Sequence, residues 1–200
     1  TNEKVDVFER EKVFIETILT QIINNFPNLR IVLEHITSAV AVNFIEEQKM
    51  IAATITNHHL MVNRNIMLSK GIRPYFYCAP ILKTEYDRLA LVQAATSGNA
   101  KFFLGTDSAP HVDSKKISPC GCAGIVSSPL AIPLLIQQFE EHSSLNKIEN
   151  FMSSNGRIFY GLNQHNERVR YIKWSKSVDV IKNIKTNQGN ITVFNPYNDL

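Results

Sequence analysis

Three short runs of apolar, largely β-branched residues constrain this chain more than anything else in it. They are LRIVLEHIT (29–37), MIAATIT (50–56) and KFFLG (101–105). None alternates polar with apolar residues, as a strand with one wet face would. Near-continuous apolarity at this length marks strands buried on both faces. Between them the pattern switches to helical spacing. Residues 38–48 read as a helix capped by Thr37 or Ser38, and residues 84–97 as an amphipathic helix closed by Gly98. Upstream, residues 6–26 place Phe14, Ile18, Ile22 and Phe26 on one stripe, with Ile15, Leu19 and Ile23 beside it, before Pro27 stops the helix. Strands alternating with helices call for a parallel sheet with helical crossovers. Three strands are too few to close a barrel, and buried parallel strands do not tolerate open edges. The chain is therefore either a small open sheet or the later part of a (β/α)8 barrel.

The remaining segments are less regular. NHHLMVNRN and GIRPYFYCAP, within residues 57–80, carry no clear period, and the aromatic cluster PYFYC (74–78) suits core or loop packing. Residues 128–142 read as a helix starting near Pro129, with Pro133 awkward in its first turn, and residues 145–153 as another. The tail, VRYIKWSKSVDVIKNI and NITVFNPY, alternates polar with apolar residues and predicts short antiparallel strands.

Charge and cysteine content exclude several classes. The 21 basic and 18 acidic side chains leave a net charge of +3, too balanced for a nucleic-acid surface. No apolar run approaches the roughly 20 residues a membrane span needs. Three cysteines, an odd number with two of them one residue apart, make a poor disulfide framework and suit free thiols in a reducing, cytoplasmic setting.

Chemistry in such folds sits just past the C-terminal ends of parallel strands. The first strand ends in Glu34-His35, where the imidazole is either a packed, hydrogen-bonded group or a ligand. The second runs into Thr56, Asn57, His58 and His59; adjacent side chains on an extended segment point opposite ways, so the two histidines do not readily share one metal. The third ends in Gly105-Thr106-Asp107, with His111 four residues on. Asp107 is either a turn-capping aspartate or an acid whose partner is His111, since a carboxylate and an imidazole side by side can divide base and binding roles. Cys120-Gly121-Cys122 has no second cysteine pair to complete a zinc hook, which leaves a glycine-rich loop whose backbone must approach something closely.

With those residues in place, the sequence resembles the bacterial-type, single-function dihydroorotases of the amidohydrolase superfamily. The resemblance rests on LEHIT (33–37), AATIT..HLM.NRN (52–65), RP..YC.PILK (73–83), FLGTDSAPH (103–111), CGCAG (120–124) and NG..FYGL (155–162), in order over most of the chain. It implies strands six to eight of a (β/α)8 barrel within residues 1–162, and a C-terminal extension, 163–200, packed on the barrel. It implies reversible cyclisation of N-carbamoyl-L-aspartate to L-dihydroorotate in pyrimidine synthesis, on two zinc ions bridged by a carbamylated lysine. By the same resemblance His35 is a metal ligand, and Asp107 is both a metal ligand and the general base and acid. His111 and the Ala123 backbone bind the substrate carboxylate, and the Ala79 backbone meets the pyrimidine ring. No His-x-His pair occurs in the 200 residues, and the family's lysine and strand-five histidine have no counterpart. The expectation is a C-terminal piece, inactive alone, of an enzyme that is a homodimer when complete. Other cyclic amidohydrolases, of hydantoinase or allantoinase type, and a non-catalytic structural partner are the rival expectations.

Overall fold

The computed structural model describes residues 3–163, 169–170, 172 and 179–197. At its centre lies a parallel sheet, ordered β1 (Ile31–Leu33), β2 (Ile51–Ile55) and β3 (Phe102–Leu104). The register pairs Leu33 with Ala53 and Ile55 with Leu104, which brings all three C-terminal strand ends to one end of the sheet. β2 has a neighbour on each side and is buried at every position, whereas β1 is only partly buried.

The helices follow the sequence pattern with instructive shifts. α1 (Arg10–Phe14), a π-helical turn (Ile15–Leu19) and α2 (Thr20–Asn25) form one rod. Ile15 and Leu19 are its buried residues, while Ile18 and Phe26, expected on the main stripe, are 46% and 60% exposed. The wider π turn changes the phase of the rod, so the neighbouring row faces the sheet. α3 (Ala39–Glu47) starts at Ser38, whose hydroxyl accepts the Ala41 N–H.

The segment expected to be irregular contains α4 (Asn57–Met61), α5 (Asn65–Leu68) and a 3-10 turn (Pro74–Phe76). α6 (Glu85–Thr96) opens with a reciprocal capping box between Thr84 and Asp87. Asp87 also accepts the Ala39 N–H at 3.0 Å, tying the starts of α3 and α6 together.

Downstream, α7 (Asp113–Lys116) is a single turn, and α8 (Ala131–Glu141) follows a 3-10 turn at Ser128–Leu130. Pro133 is the third residue of α8, where an N–H would lack an intrahelical acceptor in any case. The last helical stretch outruns its expected end at residue 153: a π turn (Asn150–Ser154) continues into α9 (Asn155–Tyr160), which stops at Gly161 with φ 69°. In the tail, β4 (Asn183–Thr186) and β5 (Gly189–Thr192) form the expected antiparallel hairpin. Most of the first tail segment, VRYIKWSKSVDV, lies outside the described residues.

Two apolar cores result. The larger lies between the sheet and the helices and includes Ile15, Leu19, Ile45, Leu91, Phe102 and Phe139. The second lies under the loops that follow the strands and includes Phe76, Cys78, Leu82, Ile125 and Leu134, joined by Val193 and Phe194 of the tail. Burying one such phenylalanine contributes about 2–3 kcal/mol, so the second core is large enough to hold irregular backbone in one arrangement. The tail is fastened there by the Phe194 N–H to the Val126 carbonyl at 2.8 Å and by the Thr192 N–H to Asp113 at 3.0 Å.

Candidate active site

His35 and Asp107 lie past the ends of β1 and β3, and both have left-handed backbone, φ 45° and 41°. Only Ser143 joins them among the non-glycine residues described. Such backbone is costly for a residue with a Cβ and persists where surrounding bonds over-determine it. At His35 those bonds are visible. Its N–H donates to the Thr54 hydroxyl at 2.6 Å, and that hydroxyl donates to Glu34 at 2.6 Å. The next residues are anchored in turn: the Ile36 N–H donates to the Thr54 carbonyl, and Glu11 accepts both the N–H and the hydroxyl of Thr37. Burial raises the Glu11 carboxyl above its ordinary range, against the lowering effect of the Thr37 bonds.

Thr54 also touches the other strand end. A Cβ on Gly105 would lie 2.6 Å from the Thr54 Cβ, so only glycine lets β3 pass this side chain on the way to Asp107. One residue of the central strand thus sets the exits of both neighbours. Adjacent strands are about 4.8 Å apart, so β1 and β3, which lead to His35 and Asp107, lie about 10 Å apart on either side of β2. Asp107 is exposed, whereas the His35 Nδ1 is buried with no hydrogen-bond partner among the described residues. A buried imidazole nitrogen of this kind calls for a partner, either a hydrogen-bonding group or a metal.

The loops complete the end of the sheet. His111 Nε2 donates to the Ala123 carbonyl at 3.1 Å, which fixes the ring and leaves Nδ1 for another partner. A Cβ on Gly124 would lie 2.7 Å from the Ala109 carbonyl oxygen and 2.8 Å from the His111 ring, so the close approach of CGCAG to its neighbours depends on that glycine. The Gly124 N–H donates to the Tyr77 carbonyl at 2.9 Å, joining this loop to the segment that carries Ala79. Ala79 is exposed beside Cys78, on whose thiol the Asp107 charge acts. The structure thus brings His111 into direct contact with Ala123, and the Ala79 and Ala123 segments onto one another.

His58 and His59 depart from expectation. They belong to the helical turn α4, not to an extended segment, so both rings turn inward, and the donor atoms of His58, His59 and Cys78 all lie within 4.8 Å of one another. The atoms of His59 and Cys78 are nevertheless committed, whereas neither ring nitrogen of His58 has a partner among the described residues. His59 Nδ1 takes the Thr56 hydroxyl at 2.7 Å, its Nε2–H goes to the Pro80 carbonyl at 3.1 Å, and Cys78 Sγ points to that carbonyl at 3.2 Å. His59 and Cys78 together hold the Cys78–Pro80 turn over α4. Burial drives His58 down to about 3 and His59 well below its usual value, and pushes the Cys78 thiol up to about 12, so all three are neutral. The other two cysteines, Cys120 and Cys122, are free thiols.

Sequence patterns miss two residues here. Thr54 is indistinguishable from any strand threonine until its hydroxyl is seen under His35. Lys116 looks like half of a solvated lysine pair, yet it is buried.

No protein-family model matches the chain. Individual proteins do. A dihydroorotase of Nitrosococcus oceani is 56% identical over 174 residues, covering 86% of this chain and 50% of that protein. Among solved structures, a dihydroorotase of Campylobacter jejuni superimposes with a TM-score of 0.86 at 30% identity, covering 96% of this chain and 55% of that one. The dihydroorotase of Saccharomyces cerevisiae, solved in complex with 5-fluoroorotic acid, gives 0.82 at 32% identity, covering 97% of this chain and 56% of that one. The chain spans about half the length of the relatives it matches. Its parallel sheet is the C-terminal part, strands six to eight, of a (β/α)8 barrel. Over nearly its whole length, in sequence and in fold, the chain is similar to dihydroorotases.

Proposed function

We propose that the complete protein is a zinc-dependent dihydroorotase that interconverts N-carbamoyl-L-aspartate and L-dihydroorotate in pyrimidine synthesis. The observation that carries this reading is the pair of left-handed residues, His35 and Asp107, at the C-terminal ends of β1 and β3. Backbone strain at two strand ends, with an imidazole and a carboxylate as the side chains, fits a site that aims donors inward.

His35, through an imidazole with one unpaired nitrogen, and Asp107 are the residues of this chain that would hold metal. Two donors are fewer than a zinc centre needs; the others, including a bridging carbamylated lysine for a two-ion centre, would come from outside these 200 residues. Bound zinc supplies Lewis acidity toward the ring carbonyl and an acidified water. Asp107, exposed past the end of β3, would carry the proton to the ring nitrogen in hydrolysis and accept it from the carbamoyl nitrogen in synthesis. His111, through Nδ1, and the Ala123 N–H hold the ligand carboxylate, and the Ala79 backbone lies against the ring. The yeast relative's complex with 5-fluoroorotic acid, a pyrimidine carboxylate, supports this ligand class.

The test is to express the whole gene product and follow L-dihydroorotate and N-carbamoyl-L-aspartate against hydantoin and allantoin, with zinc content measured on the same sample. Turnover of dihydroorotate alone, with zinc bound, is the expected result; preferential hydantoin or allantoin turnover would replace it. The 200-residue chain by itself should be inactive and should not hold two zinc ions. We further propose a soluble cytoplasmic homodimer for the complete protein, tested by its mass in solution; no described helix is long and apolar enough to cross a membrane.

A further inference from the structure

Lys116 ends the single turn α7, and its ammonium is buried behind the glycine-rich loop. It donates to the carbonyls of Tyr77 at 2.8 Å, Cys122 at 2.9 Å and Gly124 at 2.7 Å. An ammonium has three protons, so all are used, and the two loops that carry Ala79 and Ala123 share one cation.

The consequence for Ala123 follows from peptide geometry. In a trans peptide the carbonyl and the next N–H point in opposite directions. The Cys122 carbonyl is turned toward Lys116, so the N–H of Ala123 is turned away from it. That N–H has no acceptor among the described residues, while the Ala123 carbonyl is taken by His111. Both groups proposed to hold the carboxylate are thus set from behind, His111 by Ala123 and Ala123 by Lys116.

We propose that Lys116 is a positioning residue for anion binding: by collecting three loop carbonyls it aims the Ala123 N–H, and with it His111, at the ligand carboxylate. This rests on the dihydroorotase reading for the identity of the ligand, but not for the latch itself. Lys116 and His111 also line one small cavity with Tyr75, Asp113 and Thr192 of the tail hairpin, so the loop is backed by the tail and does not float on solvent.

The test uses the full-length protein and Lys116→Met, which keeps the aliphatic stem and removes the donors. Amide hydrogen exchange across residues 120–124 should accelerate at least about tenfold, the equivalent of one buried charged hydrogen bond lost, while exchange in β2 stays as it was. KM for L-dihydroorotate should rise about tenfold with kcat changed much less, the pattern of lost substrate binding. Native exchange at 120–124, or faster exchange with an unaltered KM, overturns the proposal. Should Lys116→Met fail to fold, Lys116→Arg serves: a planar guanidinium cannot aim donors at the same three carbonyls, so exchange should still quicken, and native exchange overturns the latch. If the wild-type protein does not turn over dihydroorotate, the functional reading fails, and the exchange experiment still decides the role of Lys116.

Discussion

Two lysines at opposite ends of the sheet use the same chemistry for different ends. Lys101 precedes β3 at its N-terminal end and donates to the carbonyls of Ile45, Glu46 and Gln48, the last turn of α3. Lys116 donates to three carbonyls at the C-terminal end. The carbonyls at Lys101 belong to one helix terminus, whose orphan acceptors attract any cation in reach. Those at Lys116 come from two loops with no regular structure to fix them. At the base, a lysine finishes an element that already exists. At the loop end, the lysine is what arranges the backbone. In barrels of this kind the C-terminal face carries function and the opposite face stability, and the two lysines express that division in one type of bond.

The comparison is tested hardest at Asp107. Asp107→Asn keeps the left-handed backbone, which asparagine tolerates, and removes the proposed proton carrier. In the full-length enzyme kcat should fall about a thousandfold, with an unfolding midpoint in urea equal to that of the wild type. Near-normal turnover would take Asp107 out of the chemistry. A stability loss would show instead that the loop end also supports the fold.

Gly105→Ala should blur the division on purpose. The added Cβ meets Thr54, whose hydroxyl holds the His35 N–H. Because the clash is with the Thr54 Cβ and not with a flexible tip, the cost should be about 3 kcal/mol in urea unfolding. Zinc content should fall with it, as His35 is displaced. Stability lost with full zinc retained would uncouple Thr54 from His35.

A third measurement concerns pH. His58 is fully buried with neither ring nitrogen paired among the described residues, and its folded-state value is about 3, lowered first by burial and then by His35. The folded value lies below the unfolded one near 6.5. The unfolded chain therefore binds a proton that the folded chain refuses at pH values between the two. Stability is complete above about pH 6.5 and declines as pH falls toward 3, by about 2 kcal/mol on reaching pH 5. His35 and His59 face the same ring, so the contrast is with His58→Leu, which should flatten that limb in urea unfolding at pH 7, 6 and 5. An unchanged slope would assign the acid sensitivity elsewhere.

These positions also show what a sequence can and cannot disclose. β1, β2 and β3, α3 and α6 announce themselves because burial on both faces and a 3.6-residue period both leave a local pattern. The parallel order follows from their alternation. Asp107 and His111 are legible as candidates, since they stand just past a strand. The placement of His58 and His59 was not: the turn α4 is too short for a period to show, and treating it as extended sends the two rings apart. Lys116 and Thr54 were invisible for a different reason. Their partners lie 39 and 19 residues away, at Tyr77 and His35, and a bond to a distant backbone carbonyl or N–H imposes no residue type on the partner. In the loop core the specificity resides in side chain to backbone bonds, which leave a mark on one side only.

The smallest effect belongs to the base. Lys101→Met removes the ammonium from the end of α3 and leaves its stem in place. The three carbonyls there lie near solvent at a helix terminus, and water can replace much of what is lost. The cost should be about 1 kcal/mol in urea unfolding, with KM and kcat for L-dihydroorotate at wild-type values. This is the control that gives Lys116→Met its meaning, because both variants delete an ammonium from three carbonyls. If Lys101→Met raised KM as well, the site would be sensitive to any loosening of the barrel, and aiming at Ala123 would no longer explain Lys116. If only Lys116→Met does so, the same bond inventory has two consequences, decided by whether the carbonyls it gathers belong to a helix or to the loops that face the ligand.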